Sequence, residues 1–148
     1  MFTRIVVGTD GSETATDAVR QAAELAKLSG ANLEIVSAYE PVPRRRVEEE
    51  QGGAPGDVQY EFHAREDVNL ILDGASVEAK KAGAESVITH PREGDPADAI
   101  LDVAEEAGAD LIVVGNKGMT GARRFLLGSV PNKVSHHAPC SVIIVRTT

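Results

Sequence analysis

Leu111-Ile112-Val113-Val114-Gly115-Asn116-Lys117-Gly118 is an apolar run of strand length that stops at two glycines flanking an asparagine and a lysine. Its first four residues include no polar side chain, so both faces of the strand must be covered. That is expected of a central strand in a parallel sheet with helices on each side. Outward from this run, the chain alternates short apolar stretches with segments of helical period, which reads as α/β. Toward the N-terminus, Ile5-Val6-Val7 forms a strand that ends at Gly8-Thr9-Asp10-Gly11-Ser12. Ser12 fits the N-cap of a helix burying Ala18, Ala22, Leu25 and Ala26, with Gly30 as its C′ residue. Strands follow at 33–38 and 86–89, and Asp95-Pro96 opens another helix, with Pro96 at the first position, where its missing N–H is no loss. A helix from about Glu61 to Ala82 carries Val68, Ile71, Leu72, Ala75 and Ala79 on one stripe, with Gly83 at its end. The last strand is Ser141-Val142-Ile143-Ile144-Val145. The order βαβαβαβαβ predicts one domain over 1–148, a five-stranded parallel sheet with helices on both faces. The proline- and glycine-rich stretch from Glu40 to Tyr60 is expected to be a long mobile loop.

Composition narrows the function. The chain has 148 residues, 42% of them hydrophobic, enough for one core without staples. Its single cysteine, Cys140, excludes an internal disulfide framework and fits a reducing, cytoplasmic setting. The opening residues do not have the pattern of a signal peptide and no run reaches the length of a membrane span, so neither secretion nor a membrane is expected. A net charge of −8 and only five aromatic residues disfavour nucleic acid as a partner. That charge is unevenly placed. From Leu111 onward there are five basic residues, Lys117, Arg123, Arg124, Lys133 and Arg146, and no acid, so this stretch carries +5, against −13 for the first 110 residues.

In an open parallel sheet the ligand crevice lies beyond the carboxyl ends of the strands, where the strand order reverses. Two segments lie there: Gly8 to Ser12 after the first strand, and Gly115 to Ser129 after the fourth. Gly115 and Gly118 let backbone N–H groups approach an anion closely, and Lys117 stands between them. Gly128-Ser129 opens the last helix, where Ser129 is expected to act as cap while its hydroxyl and the free N–H groups of the first turn face the crevice. The cluster of Lys117, Arg123 and Arg124 suits a polyphosphate better than a carboxylate. Neither the P-loop spacing nor the G-x-G-x-x-G of a dinucleotide fold is present.

These residues carry a resemblance that covers essentially the whole chain. Ile5-Val6-Val7-Gly8-Thr9-Asp10-Gly11-Ser12, the closing Ala138-Pro139-Cys140-Ser141-Val142-Ile143-Ile144-Val145, and the G-x2-G-x9-G-[ST] pattern of Gly115, Gly118, Gly128 and Ser129 resemble the nucleotide-binding branch of the universal stress protein (UspA-like) family. The resemblance implies a Rossmann-like (adenine nucleotide alpha hydrolase-like) fold, ATP or another adenine nucleotide with Mg²⁺ as cofactor, and a homodimer paired through residues 141–146. It implies that Asp10 holds the ribose or base side, that Thr9 and Gly11 shape the loop, and that Ala38 packs on adenine. Gly115, Gly118, Gly128, Ser129 and Val130 then contact ribose and phosphates, with Asn116, Lys117 and Met119 at the entrance and Gly121 and Arg124 in the same loop.

Plainer readings stand beside these. Asp10 also fits a turn residue, and Ser129 a cap alone. Cys140 reads as a small buried residue, and His136 and His137 as cations suited to a helix C-terminus, with no metal site expected. No catalytic residue is assigned. The functional reading is an ATP-binding, nucleotide-dependent stress-response or signalling module. The alternative is a slow Mg-dependent ATPase or phosphotransferase, which needs a positioned base or water. A third is a structural dimer whose basic stretch docks an acidic protein partner.

Overall fold

The computed structural model describes residues 1–39, 55–116 and 127–147. Five strands form one parallel sheet: β1 (Arg4–Gly8), β2 (Asn32–Tyr39), β3 (Val87–Glu93), β4 (Leu111–Gly115) and β5 (Ser141–Val145). Among the described residues there are four helices, α1 (Glu13–Ser29), α2 (Pro55–Lys81), α3 (Pro96–Ala107) and α4 (Ser129–His137). The strand order is β3-β2-β1-β4-β5, the expected Rossmann-like arrangement.

The strand alternation divides the core in two. Ile5 and Val7 of β1 and Leu111 and Val113 of β4 face α1 and α2, packing on Ala18, Ala22, Val68 and Leu72. Val6, Ile112 and Val114 face the other way, against Ile100 and Val103 of α3 and Val130 and Val134 of α4. Each residue of β4 from Leu111 to Val114 is therefore buried, as its uninterrupted apolar character requires.

Helix ends follow their capping residues. The Ser12 side chain accepts the Ala15 N–H, and Gly30 closes α1 in the left-handed conformation at φ 71°. Asp95 accepts the Asp98 N–H at the start of α3. Two boundaries differ from expectation. Strand β3 runs on to Glu93 rather than stopping at Thr89, pairing Ser37 with Pro91 and Tyr39 with Glu93. It is an edge strand, where Pro91 removes a donor from the ladder at little cost, so a proline did not end it. Helix α2 starts at Pro55, so residues 55–60 of the expected connection are helical, with proline at the first position of the helix, where it is tolerated. Residues 40–54 of that connection lie outside the described residues. Among the described residues no helix is long and apolar enough to cross a membrane.

Candidate functional site

The register shows where the sheet opens. Strand β1 pairs with β2 over five residues and β4 with β5 over five, but β1 pairs with β4 over only three, Ile5–Val7 against Leu111–Val113. The two central strands are stapled at their other ends. Asp110, just before β4, accepts the Thr3 and Arg4 N–H groups at 2.8 and 3.0 Å, and the Asp110 N–H donates to the Arg4 carbonyl. Burial pushes the Asp110 carboxyl up, but the donors from Thr3 and Arg4 outweigh it and hold it below the ordinary aspartate value. Beyond Val7 and Val113, β1 turns toward β2 and β4 toward β5, which leaves a crevice over their carboxyl ends.

A pocket occupies this crevice. Gly8 and Gly115 form its rims, Thr14 and Ala15 of α1 one wall, and Val130 of α4 with Ile100 of α3 the opposite wall, with Thr147, beyond β5, also lining it. Gly115, extended and lacking a Cβ, leaves room beside Thr147, whose Cγ2 would lie 3.6 Å from an added methyl.

The loop after β1 is closed by its own groups. Thr9, almost fully buried, donates its N–H to the Val36 carbonyl at 2.9 Å, and its hydroxyl accepts the Gly11 N–H at 3.1 Å. Asp10 accepts the Ser12 N–H at 2.9 Å, an Asx turn. Gly11 has φ +82°, and a Cβ there would lie 3.0 Å from Ile71 Cγ1 of α2. Thr9 and Gly11 face a second groove, between α1 and α2, with Ile71 and Gly74, rather than the crevice over β4.

The loop after β4 is organised differently. Its two described ends meet where Gly128 donates its N–H to the Asn116 carbonyl at 2.9 Å. The N-cap of α4 is Gly128, at φ −62° and ψ 164°, with no side-chain cap bond and no acid in the first turn. Ser129 is thus not the cap it was expected to be. The residue ahead of it already has the extended backbone of a cap, so Ser129 becomes the first helical residue, exposed at the mouth. Pro131 lies within the first turn and is buried, where it removes a donor the turn does not use. The first-turn N–H groups of Ser129 and Val130 have no intrahelical acceptor, an arrangement able to take an anion.

Of the residues singled out in the sequence, Gly115 and Val130 line the crevice, with Asn116, Gly128 and Ser129 beside them, whereas Thr9 and Gly11 line the groove between α1 and α2, with Asp10 in the turn between them. Ala38 lies one strand over, near the end of β2 on the face covered by α3. Lys117, Gly118, Met119, Gly121 and Arg124 lie outside the described residues. Sequence reasoning missed Thr14, Ala15, Ile100 and Thr147. The first two were marked by the Ser12 cap, since a capped first turn after β1 must border the same crevice. Thr147 carried no local signal. Cys140 is half-buried just ahead of β5, and burial, with Asp110 nearby, pushes its thiol up. Among the described residues no group of three His, Cys, Asp or Glu side chains is placed to hold a metal.

A family model described as the universal stress protein family matches residues 1–146. The chain belongs to that family. Universal stress protein Rv1636 of Mycobacterium tuberculosis is 40% identical over 147 residues, covering 99% of this chain and 98% of that protein. A universal stress protein solved in complex with cAMP is 36% identical, with a TM-score of 0.75 and coverage of 99% of this chain and 98% of that one. The universal stress protein of Archaeoglobus fulgidus in complex with dAMP is 28% identical, with a TM-score of 0.65 over 97% of this chain and 98% of that one. These relatives match the chain over nearly its whole length.

Proposed function

We propose that this universal stress protein binds an adenine nucleotide, ATP foremost, in the crevice between β1 and β4, and acts in the cytoplasm as a nucleotide-dependent stress-response or signalling module. The observation that carries this is the uncapped start of α4 beside the crevice, and two universal stress proteins of the same fold are solved in complex with cAMP and dAMP. Phosphates take the N–H groups of Ser129 and Val130 and the Ser129 hydroxyl. Lys117, Gly118, Met119, Gly121 and Arg124 are assigned to the same phosphate end of the site, with Mg²⁺ as the accompanying cation. Asp10 serves the ribose: its carboxylate accepts from Ser12 but has acceptor sites to spare. Ala38 offers a small apolar surface to the base.

The homodimer is proposed to form through β5, an edge strand with Ile144 40% exposed. A second copy pairing there would cover an apolar edge otherwise open to aggregation. Hydrolysis, as a slow Mg-dependent ATPase or phosphotransferase, is the less favoured reading, because it needs a positioned base and neither crevice segment, 8–12 or 115–129, holds a second acid beside Asp10.

The test is to denature purified protein, resolve the supernatant by anion exchange, and separately heat the protein with ATP. The reading predicts a co-purifying adenine nucleotide near one per chain, or an ATP-dependent rise in melting temperature. At a hundredfold excess over Kd, ligand stabilises by about 2.7 kcal/mol, which for a domain of this size is about 5–10 °C. Neither nucleotide nor shift would end it. Slow phosphate release that depends on Lys117 would favour the enzyme instead.

A further inference from the structure

Asn116, one residue past β4, is the residue on which three chain segments converge. Its N–H donates to the Val145 carbonyl at 2.8 Å, carrying the β4–β5 ladder one step beyond the sheet. Its carbonyl accepts from Gly128, joining the end of β4 to the cap of α4. Its side-chain Oδ1 accepts both the Thr147 N–H at 2.9 Å and the Thr147 hydroxyl at 3.2 Å. The Thr147 N–H can only donate, so the amide's orientation is settled by chemistry: the oxygen faces Thr147. Thr147 in turn lines the crevice beside Gly115 and Val130.

We propose that Asn116 and Thr147 form a clasp that sets the distance between Gly115 and the first turn of α4, with Asn116 as the positioning residue for the phosphate end of the site. The inference rests on the nucleotide reading above. Gly128 is the N-cap of α4, so the bond from its N–H to Asn116 fixes where the N–H groups of Ser129 and Val130 stand relative to β4. Asn116 lies beyond the last ladder pair, Gly115 with Val145, so its two backbone bonds have no further ladder behind them, and a second grip is needed to fix the pose. The side chain supplies it by gripping the segment after β5. An acceptor on a short, stiff side chain is needed at 116. Alanine there leaves the Thr147 N–H without its acceptor and loosens the join between the end of β4 and the start of α4. The adenosine end, built on β1 and β2, does not touch this clasp.

That asymmetry supplies the test, performed by calorimetric titration of the full chain with ATP and with adenosine. Losing both hydrogen bonds to Thr147 is expected to weaken ATP binding by Asn116→Ala roughly tenfold or more, while adenosine affinity stays within about twofold. Thr147→Val, which removes only the hydroxyl bond, should cost ATP affinity roughly threefold, and Thr147→Ser should restore it. A purely structural role would lower the unliganded melting temperature and weaken both ligands alike. Equal losses for ATP and adenosine, or ATP affinity within twofold of the parent in Asn116→Ala, overturn the clasp while leaving the nucleotide reading intact. Should Asn116→Ala not fold, the Thr147 pair carries the same comparison, and no ATP-selective change there overturns the clasp. A parent protein that binds neither ligand defeats the nucleotide reading and the clasp with it.

Discussion

Helix α1, after β1, begins behind a serine whose hydroxyl accepts the Ala15 N–H, whereas α4, after β4, begins behind Gly128, which has no side chain to offer. The two loops differ in the same sense. From Thr9 to Ser12 the turn satisfies itself, with Thr9 bonded to Gly11 and Asp10 to Ser12. At α4 the first-turn donors are left to solvent or to a ligand. Helix α3, the third with a described cap, resembles α1: Asp95 accepts from Asp98. A helix start left uncapped forgoes about 1 kcal/mol against a serine or aspartate cap where the alternative is alanine, and a few tenths where it is glycine. Gly128 is therefore an inexpensive way to keep the end open. The charge pattern agrees, since the acids stop at Asp110 and the open end lies in the stretch that carries +5.

The contrast can be broken by closing the open end. Ser129→Asp puts a carboxylate where a phosphate is proposed to sit. It should raise the unliganded stability by about 0.3–1 kcal/mol through the helix dipole, and lower ATP affinity by roughly tenfold or more. Melting curves with and without ATP read both changes. A variant that gains stability and keeps its ATP shift would show that the open end is not the phosphate site.

Opening the closed side should damage the fold rather than phosphate binding. Gly11→Ala meets both a left-handed backbone and Ile71 Cγ1, so about 2 kcal/mol of destabilisation is expected in urea titrations. Ser12→Ala removes the α1 cap and should cost about 1 kcal/mol in the same measurement. If either abolished ATP binding in protein shown to be folded, the β1 loop would reach the phosphates as well as the ribose.

The smallest effect belongs to the staple at the opposite end of the two strands. The Asp110 carboxyl is held below its ordinary value in the folded chain, so it contributes stability above the unfolded aspartate pKa of about 4 that is lost as pH falls through the lower folded value. Stability should therefore fall more steeply below about pH 4 in the parent than in Asp110→Asn, measured as urea midpoints across that range. Parallel pH profiles would remove Asp110 from the account of how β1 and β4 are joined.

Much of this was legible in the sequence for reasons of period and cap. The apolar runs at Ile5, Leu111 and Val142 could be placed because buried parallel strands admit no polar interruption, and Ser12, Gly30 and Asp95 because caps act on their immediate neighbours. Strand β3 was cut short because His90, Pro91 and Arg92 look unlike a strand, yet an edge strand half open to solvent tolerates them. The crevice was expected from topology over the ends of β1 and β4, where a pocket lined by Gly8 and Gly115 lies. The identity of the α4 cap turned on a one-residue difference in backbone conformation between Gly128 and Ser129. The clasp joins residues 31 apart in the chain and has no periodicity to betray it.

The most direct measurement follows backbone amide resonances while ATP is added to the isotopically labelled protein. The account predicts that the Ser129 and Val130 N–H groups of α4 shift the most, with saturation near one ATP per chain, while the Ala97 and Asp98 amides at the capped start of α3 stay still. Saturable binding that leaves the α4 amides unmoved, or no binding at all, would contradict it.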